Sequence, residues 1–309
     1  HSVLYPTWHH LNHKQDYKSN GESYMKRHII ERLKHLYIHA YIILWIVIAI
    51  FPVIWIVSMS LNPIDVLHPT TLQIIPKNAT LSAYIKVLTR PYEAYPVSFG
   101  KLLFNSLFVA GGTALLSVAL ASTAAYAFSR FKFPGREIGL LGFIVTQMLP
   151  ATATLAPLFV ILTLLHIRNT LYGLIVAYAS GSVPFAIWNL KGYFDTVPKE
   201  LEEAALVDGC DRNQAFLKII LPLSFPAIAV TFLFGFMNGW MEWMLAWTFL
   251  TKPENFTLAM TLYNMQGQWN TPWSQFAAFS IIISLPVMIV WYLLQRYIVS
   301  GLTLGAVKG

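Results

Sequence analysis

Six long apolar runs, separated by shorter polar stretches, dominate the chain. Each run holds about enough residues to cross a hydrocarbon layer roughly 30 Å thick as a helix. The pattern therefore predicts an all-α integral membrane protein with six transmembrane helices. The predicted spans lie near Tyr37–Met59, Leu102–Phe128, Ile138–Leu164, Leu171–Leu190, Pro222–Phe249 and Phe276–Val299.

The same pattern divides the chain into three parts. Residues 1–36 form a polar N-terminal segment, residues 37–299 the membrane domain and residues 300–309 a glycine-containing tail, which alone is typical of a flexible end. We expect residues 1–24 to be a disordered extension or a remnant of expression. The alternative is a metal site, and its ligands would be His9, His10 and His13.

Two connections between the spans have predictable forms. Leu165–Thr170 is so short that the third and fourth spans must form a tight hairpin. Leu61–Lys101 is long and rich in proline, which predicts a folded external segment without a long helix.

The most polar stretch of the second half, residues 195–221, predicts a helix–glycine–helix knuckle over Lys199–Leu217. Pro198 suits the first turn of a helix, and Gly209 stands where that helix must stop and turn. Asp211 and the glutamine three residues later resemble a capping box that opens a second short helix. The alternative is a solvated acidic loop between two spans.

Composition supports the membrane assignment and narrows the chemistry. The chain is 56% hydrophobic and 11% charged, whereas soluble proteins are about one quarter charged. The basic residues are scattered through short loops, so the net charge of +7 does not indicate a nucleic-acid partner. The single cysteine, Cys210, excludes an internal disulfide and a cysteine-based metal site.

Lysine and arginine set the predicted orientation. From residue 26 onward they are about twice as frequent on one side of the predicted membrane as on the other. The richer side should be cytoplasmic. Both termini and the knuckle are therefore expected to face the cytoplasm.

The knuckle carries a motif of known spacing. Glu203-Ala204-Ala205, Gly209 and the later Leu221-Pro222 fit the pattern E-A-A-x3-G-x9-I-x-L-P. This pattern resembles the cytoplasmic coupling loop of ABC importer permeases. Further segments, over roughly residues 25–309, are similar to the G-type permeases of maltose/maltodextrin importers: Tyr126–Arg130, Phe133–Gly135, Lys191–Phe194, Gly301–Thr303 and Val307–Gly309.

The resemblance implies a multi-pass subunit of a bacterial inner membrane. Its partners would be a second homologous permease, two ATPase subunits and an extracytoplasmic solute-binding protein. No G-x-x-x-x-G-K-[ST] loop occurs in the chain, so ATP and Mg would be bound by the ATPases, and no cofactor or catalysis is expected here. By resemblance the tail would insert between the ATPases. The expected ATPase-coupling residues are Glu203, Ala204, Ala205, Gly209, Leu221 and Pro222.

The fifth span carries polar and small residues of undecided role. Glu242, with Asn238 one turn earlier, is a candidate for the translocation pathway or a gate, because a membrane-embedded carboxylate is costly. The alternative is a hydrogen bond that anchors the helix. Gly235 and Gly239 permit close helix packing, either within this chain or against a second permease.

The segment Thr251–Ser274 should be external and combines aromatic rings with amides, as sugar-binding surfaces do. By resemblance it would reach into the solute-binding protein; the alternative is a polar loop with aromatic residues at the membrane interface. Its candidate contact residues are Asn264, Gln266, Gln268 and Trp269.

Other functions stay open at this point. A sister importer for glycerol phosphate or another sugar shares the architecture. An ion-coupled secondary transporter belongs to a different class. It usually shows internal repeats and interrupted helices around intramembrane polar sites, whereas this sequence shows no convincing repeat and one candidate carboxylate, Glu242. A membrane enzyme is disfavoured, because no His, Asp or Glu cluster suggests catalysis.

Overall fold

The computed structural model describes residues 9–63, 74–91, 96–267 and 271–306. The chain forms two compact units, His1–Val57 and Ser58–Gly309. The regular elements in the described ranges are helices: α1 His9–Ser60, α2 Ser82–Thr89, α3 Phe99–Arg130, α4 Arg136–Met148, α5 Ala151–Leu164, α6 Leu171–Phe194, α7 Lys199–Val207, α8 Arg212–Ala215, α9 Leu221–Leu223, α10 Phe225–Met241, α11 Met244–Phe249, α12 Leu258–Asn264 and α13 Trp273–Ala306.

Four of these helices are long and apolar enough to cross a membrane: Glu31–Ser60 within α1, then α3, α6 and Trp273–Tyr297 within α13. The number rises to six if each of two bent helix pairs is one span. The all-α membrane class is thus confirmed, while the count of six depends on the bent pairs.

The predicted third span, Ile138–Leu164, is two helices. The axes of α4 and α5 differ by 106°, and the backbone at Leu149 and Pro150 is extended. Proline disfavours helical geometry at the residue before it and donates no hydrogen bond. The predicted third span is therefore broken at this point and does not continue as one helix.

The predicted fifth span, Pro222–Phe249, is also interrupted. The helical stretch Arg212–Leu223 meets α10 at an angle of 78°, and α10 ends at Met241. Glu242 then has extended backbone, and the short α11 follows. The apolar composition continues through this break, so composition alone did not reveal it.

The core of the second unit forms where α3 packs against α6 and α10. A β-carbon on Gly235 would lie 3.0 Å from the Ala114 Cα, and one on Gly239 would lie 2.9 Å from the Ala110 Cα. Only glycine allows these backbones to approach so closely. The two glycines therefore pack within this chain, which answers the question that the sequence left open.

The remaining connections follow the prediction in part. A short connection, residues 165–170, joins α5 to α6, and the tight hairpin of these two helices stays a prediction. α2 is the one helix in the described part of residues 61–98. α1 begins at His9, so the backbone of residues 9–24, expected to be disordered, is helical. Likewise α13 continues to Ala306 through most of the segment expected to be a flexible tail.

Candidate functional site

The knuckle has the backbone that its sequence predicts. α7 ends at Val207, and Gly209 has φ +88°, the left-handed region that glycine adopts readily. The capping box of α8 is present: the Gln214 amide N donates to Asp211 Oδ1 at 2.8 Å, and the Asp211 amide N donates to Gln214 Oε1 at 3.2 Å. Cys210, half-buried, lies at the turn, where its amide N donates to the Ala205 carbonyl at 3.0 Å.

The motif residues differ in exposure. Ala205 is buried, and Leu221 is half-buried. Helical i, i+3, i+4 spacing alone predicts that Leu201, Ala204 and Ala205 share one face. The face of α7 that packs against the chain instead holds Glu202 and Ala205. Of the two motif alanines, only Ala204 is available to a partner. The exposed motif residues are Glu203, Ala204, Gly209 and Pro222.

A buried ion pair, which the sequence did not predict, attaches α7 to α3. The Glu202 carboxylate accepts hydrogen bonds from the Tyr126 hydroxyl and from Arg130 Nε, the latter at 2.9 Å. The two charged side chains are 6% and 4% exposed. Arg130 Nη2 also donates to the Val197 carbonyl at 3.0 Å, next to the start of α7. Both ends of the guanidinium are therefore engaged where α7 meets the end of α3.

A second carboxylate extends the network to α6. Asp195 Oδ1 accepts from Ser129 Oγ at 2.7 Å, and Asp195 Oδ2 accepts from Lys191 Nζ at 2.6 Å. Burial works to raise the pKa of Asp195, but the hydrogen bonds from Lys191 and Ser129, together with the charge of Lys191, outweigh it and hold the pKa below its usual value. We call the six linked side chains the carboxylate network: Tyr126, Ser129, Arg130, Lys191, Asp195 and Glu202.

Aromatic contacts pack around the same junction. The Phe216 ring centre lies 4.7 Å from that of Tyr126, and the Arg212 guanidinium lies over the Phe131 ring at 5.4 Å. Phe216 opens a π-helical turn, Phe216–Ile220, that joins α8 to α9. The second half of the knuckle is thereby attached to the end of α3 as well.

A separate cavity of about 450 Å³ lies among α3, α4, α6 and α10. We call it the polar cavity after the polar side chains that stand in its otherwise mainly apolar lining. Asn238 and Glu242, the two candidate pathway residues, both line it. Asn238 Nδ2 donates to Ser182 Oγ at 2.8 Å. The Glu242 carboxylate accepts from the amides of Leu245 at 2.8 Å and Ala246 at 3.4 Å. Glu242 therefore anchors α11, and it does so at the wall of the cavity.

The segment after α11 is tied firmly to α3. Buried Asn105 donates through Nδ2 to the carbonyls of Glu254 at 2.8 Å and Phe256 at 2.9 Å. Tyr263 stacks on Trp243, with ring centres 3.5 Å apart.

Two of the four predicted contact residues of this segment can be placed. Within the described ranges, the side chains of Asn264 and Gln266 have no hydrogen-bond partner. Gln268 and Trp269 lie outside the described residues, so the structure does not place them relative to the other two.

No group of three or more His, Cys, Asp or Glu side chains is placed to hold a metal ion in the part of the chain whose side chains are described. The side chains of His9, His10 and His13 lie outside the described ones.

The model of the family described as "Binding-protein-dependent transport system inner membrane component" matches residues 93–304. The chain belongs to this family. The matched range holds the knuckle, the carboxylate network and the polar cavity.

Individual members of this permease family are similar over most of their length. The galactooligosaccharides transport system permease protein GanQ of Bacillus subtilis is 36% identical over 264 residues, covering 85% of this chain and 92% of GanQ. The maltose/maltodextrin transport system permease protein MalG of Escherichia coli K12 is 36% identical over 284 residues, covering 88% and 95%. These matches support the resemblance to carbohydrate ABC importer permeases that the motifs indicate.

A solved structure shares the fold of this permease. A chain from a bacterial ABC transporter involved in the import of the acidic polysaccharide alginate aligns with a TM-score of 0.73 and 22% identity. The alignment covers 86% of this chain and 96% of that one. At this identity the likeness concerns the fold alone.

Glu202 is the main residue of the site that sequence reasoning missed. Tyr126 and Arg130 stand one helical turn apart at the end of a span, a spacing that places both on one face. A charged residue at that position needs a partner. The sequence offers three glutamates in α7, and nothing in their order shows that Glu202 is the one that turns inward.

Proposed function

We propose that this chain is one of two permease subunits of an ABC importer for maltodextrin or a related oligosaccharide. The observation that carries the proposal is the knuckle, an exposed motif surface on a rigidly attached helix, in a chain of the binding-protein-dependent permease family. The relatives named for maltose, maltodextrin and galactooligosaccharide transport support a neutral oligosaccharide as substrate.

The exposed side of the knuckle would contact an ATPase subunit on the cytoplasmic side. Glu203 is exposed and forms no ion pair among the described residues, so its carboxylate is free for a basic residue of the partner. Val207 is 87% exposed, and Leu201 and Leu217 are also exposed. Leu201 and Val207 belong to α7 and Leu217 to the π-helical turn, so both halves of the knuckle offer apolar side chains to a hydrophobic groove of the partner.

Movement of the ATPases would reach the membrane helices through the carboxylate network. Because Glu202 is bound to Arg130 and Tyr126, α7 cannot shift far without the end of α3. Asp195 links the same point to α6 through Ser129 and Lys191. ATP binding would thereby bias two arrangements of the membrane helices, while the chain itself hydrolyses nothing.

The cavity favours a neutral sugar over glycerol phosphate. An anionic substrate needs positive charge or many N–H donors, yet no lysine or arginine lines the cavity. The sister importer for an anionic solute is therefore the weaker candidate.

Copurification in mild detergent tests the assembly. Mass spectrometry should find one homologous permease and a Walker-motif ATPase at twice the amount of either permease, with a solute-binding protein joining when sugar is added. Recovery of this chain alone, still transporting sugar without ATP, would contradict the ABC importer and favour the ion-coupled secondary transporter.

A matched pair of glycine substitutions tests the coupling role. Gly209→Val places a β-branched residue at positive φ, which costs about 1–3 kcal/mol and should distort the turn. Gly192→Val is the control, because Gly192 is exposed in α6 and space for a β-carbon is open at both positions. We expect less sugar transported per ATP hydrolysed in the first variant only. Normal transport by Gly209→Val would contradict the coupling role.

A further inference from the structure

We propose that the polar cavity among α3, α4, α6 and α10 is a saccharide subsite, in which Gln147, Asn238 and Ser117 bind hydroxyl groups of the transported sugar. The inference rests on the proposed function and adds a substrate contact made by this chain itself. No catalytic or coupling residue takes part in it.

Two polar side chains of the cavity wall, Ser117 and Ser182, lie in helices long and apolar enough to span a membrane. Ser117 belongs to α3 and Ser182 to α6. Polar groups in spanning helices are costly unless they find partners or face a polar cavity. These side chains face a cavity of about 450 Å³, within the range of roughly 300–1,000 Å³ typical of small-molecule sites.

The hydrogen-bonding capacity of the cavity is only partly used. Asn238 donates one N–H to Ser182 Oγ, and Gln147 donates one to the Gly181 carbonyl at 2.9 Å. Each amide retains its oxygen and a second N–H. Ser117 is 0% exposed, lines the cavity and has no hydrogen-bond partner for its hydroxyl. A buried hydroxyl without a partner needs an explanation, which a ligand or water in the cavity supplies. At 0% exposure, a sugar reaches this hydroxyl only when a neighbouring side chain of the cavity wall moves aside.

The unused groups match a sugar better than an ion. Amides and hydroxyls both donate and accept, as sugar hydroxyls do, whereas an ion needs groups of one sign. Glu242, the one carboxylate at the cavity wall, is occupied by the amides of Leu245 and Ala246. It is a single carboxylate, whereas a hard cation such as Ca²⁺ takes about six to eight oxygen ligands.

Aromatic side chains complete the chemistry. Phe185 and Phe234 line the cavity, with ring centres 5.2 Å apart and planes at 71°. Both rings are partly exposed, so a ring face is available to the apolar C–H face of a sugar. Amides beside an aromatic face provide both kinds of contact that a pyranose offers.

The test uses the complete transporter, purified with its copurifying partners and reconstituted in vesicles. Uptake of maltotriose is measured for wild type, Asn238→Leu, Gln147→Leu and Ser117→Ala. Thr146→Val is the control, because Thr146 is exposed on α4 next to Gln147 and its hydroxyl is spent on the Phe143 carbonyl. ATP hydrolysis stimulated by the binding protein is measured in parallel.

We expect each cavity variant to raise the half-saturating maltotriose concentration by roughly three- to tenfold, the effect of one lost neutral hydrogen bond. Stimulated ATP hydrolysis and Thr146→Val should match wild type. Maltotriose analogues that each lack one hydroxyl group distinguish sugar binding from a merely structural role, because a structural change would lower the transport of all of them alike. At least one should be transported less well than maltotriose by wild type, and a cavity variant should lose that discrimination.

Two results would overturn the subsite, and they are distinguishable. If wild type transports maltotriose and the variants retain its half-saturation and discrimination, the cavity holds water and the subsite is wrong while the proposed function stands. If wild type transports none of a panel of maltodextrins and galactooligosaccharides, the proposed function fails and the subsite fails with it. If the leucine variants of Asn238 and Gln147 do not assemble, Ser117→Ala alone decides whether the subsite is correct. It removes a single hydroxyl without a partner, so the fold should tolerate it.

Discussion

Replacing Glu202 tests how α7 is attached to the membrane helices. Glu202→Ala leaves the Arg130 guanidinium, 4% exposed, without its carboxylate. Breaking a buried ion pair by removing one partner costs about 3–5 kcal/mol. Arg130 keeps its hydrogen bonds to the Val197 carbonyl and, at 3.3 Å, to Ser129 Oγ. We therefore expect the free energy of unfolding to fall by about 3 kcal/mol, near the lower end of that range.

Glu202→Gln separates charge from shape. The glutamine oxygen can still accept from Arg130 Nε, and its nitrogen can donate to the Tyr126 hydroxyl oxygen. We expect the free energy of unfolding to fall by about 2 kcal/mol, because two hydrogen bonds to a charged group become neutral ones, each weaker by about 1 kcal/mol. Glu203→Gln is the matched control, because that neighbour is exposed and should change stability by less than about 0.5 kcal/mol.

The assay is thermal unfolding of this chain purified in detergent without the ATPase subunits, so that the proposed pairing of Glu203 with an ATPase does not contribute. Glu202→Ala should unfold at the lowest temperature, Glu202→Gln next, and Glu203→Gln with wild type. Arg130→Met combined with Glu202→Leu should recover part of the stability, since apolar pairs often replace buried ion pairs without loss. If Glu202→Gln and Glu203→Gln unfold at the same temperature, the buried pair does not hold α7.

Three further perturbations have expected outcomes. Gly239→Ala should destabilise the fold by about 1–3 kcal/mol, because its β-carbon would lie 2.9 Å from the Ala110 Cα. Gly111→Ala is the control, since it lies in open space on α3 and should be neutral or stabilising. Equal melting temperatures of the two variants would contradict the close packing. Because the pKa of Asp195 is lowered in the fold, its carboxylate stabilises the protein above the ordinary pKa of 3.8, and this stabilisation is lost as the pH falls through the folded-state pKa. The difference in melting temperature between wild type and Asp195→Asn should therefore narrow from pH 7 to pH 3. A constant difference would refute this. Glu242→Gln should cost about 1 kcal/mol by weakening the bonds to the Leu245 and Ala246 amides, and hydrogen exchange should accelerate at those two amides; unchanged exchange would count against the anchoring role.

The knuckle was predictable because its signals are local. A proline at the start of α7, Gly209 at the turn and the Asp211–Gln214 pair each act within a few residues. Their backbone consequences therefore follow from sequence alone. The burial of Glu202 was not predictable, because it depends on side chains of α3 that are 72 and 76 positions away.

The breaks in the predicted spans show a second limit. Pro150 marks a point of weakness, but a single proline is compatible with a mild kink or with the observed 106° bend. Apolar composition continues through Glu242 as well, where one carboxylate that caps α11 ends the longer helix. In both cases, packing around the break decides the geometry.

The position of Cys210 has a practical consequence. It is the single thiol of the chain, half-buried at the turn of the knuckle. A maleimide dye will therefore label one site without removal of other cysteines. Fluorescence from that dye can be followed in real time while partners, sugar and nucleotide are added, so the native sequence already carries the attachment point for a spectroscopic reporter at the surface proposed to bind the ATPase.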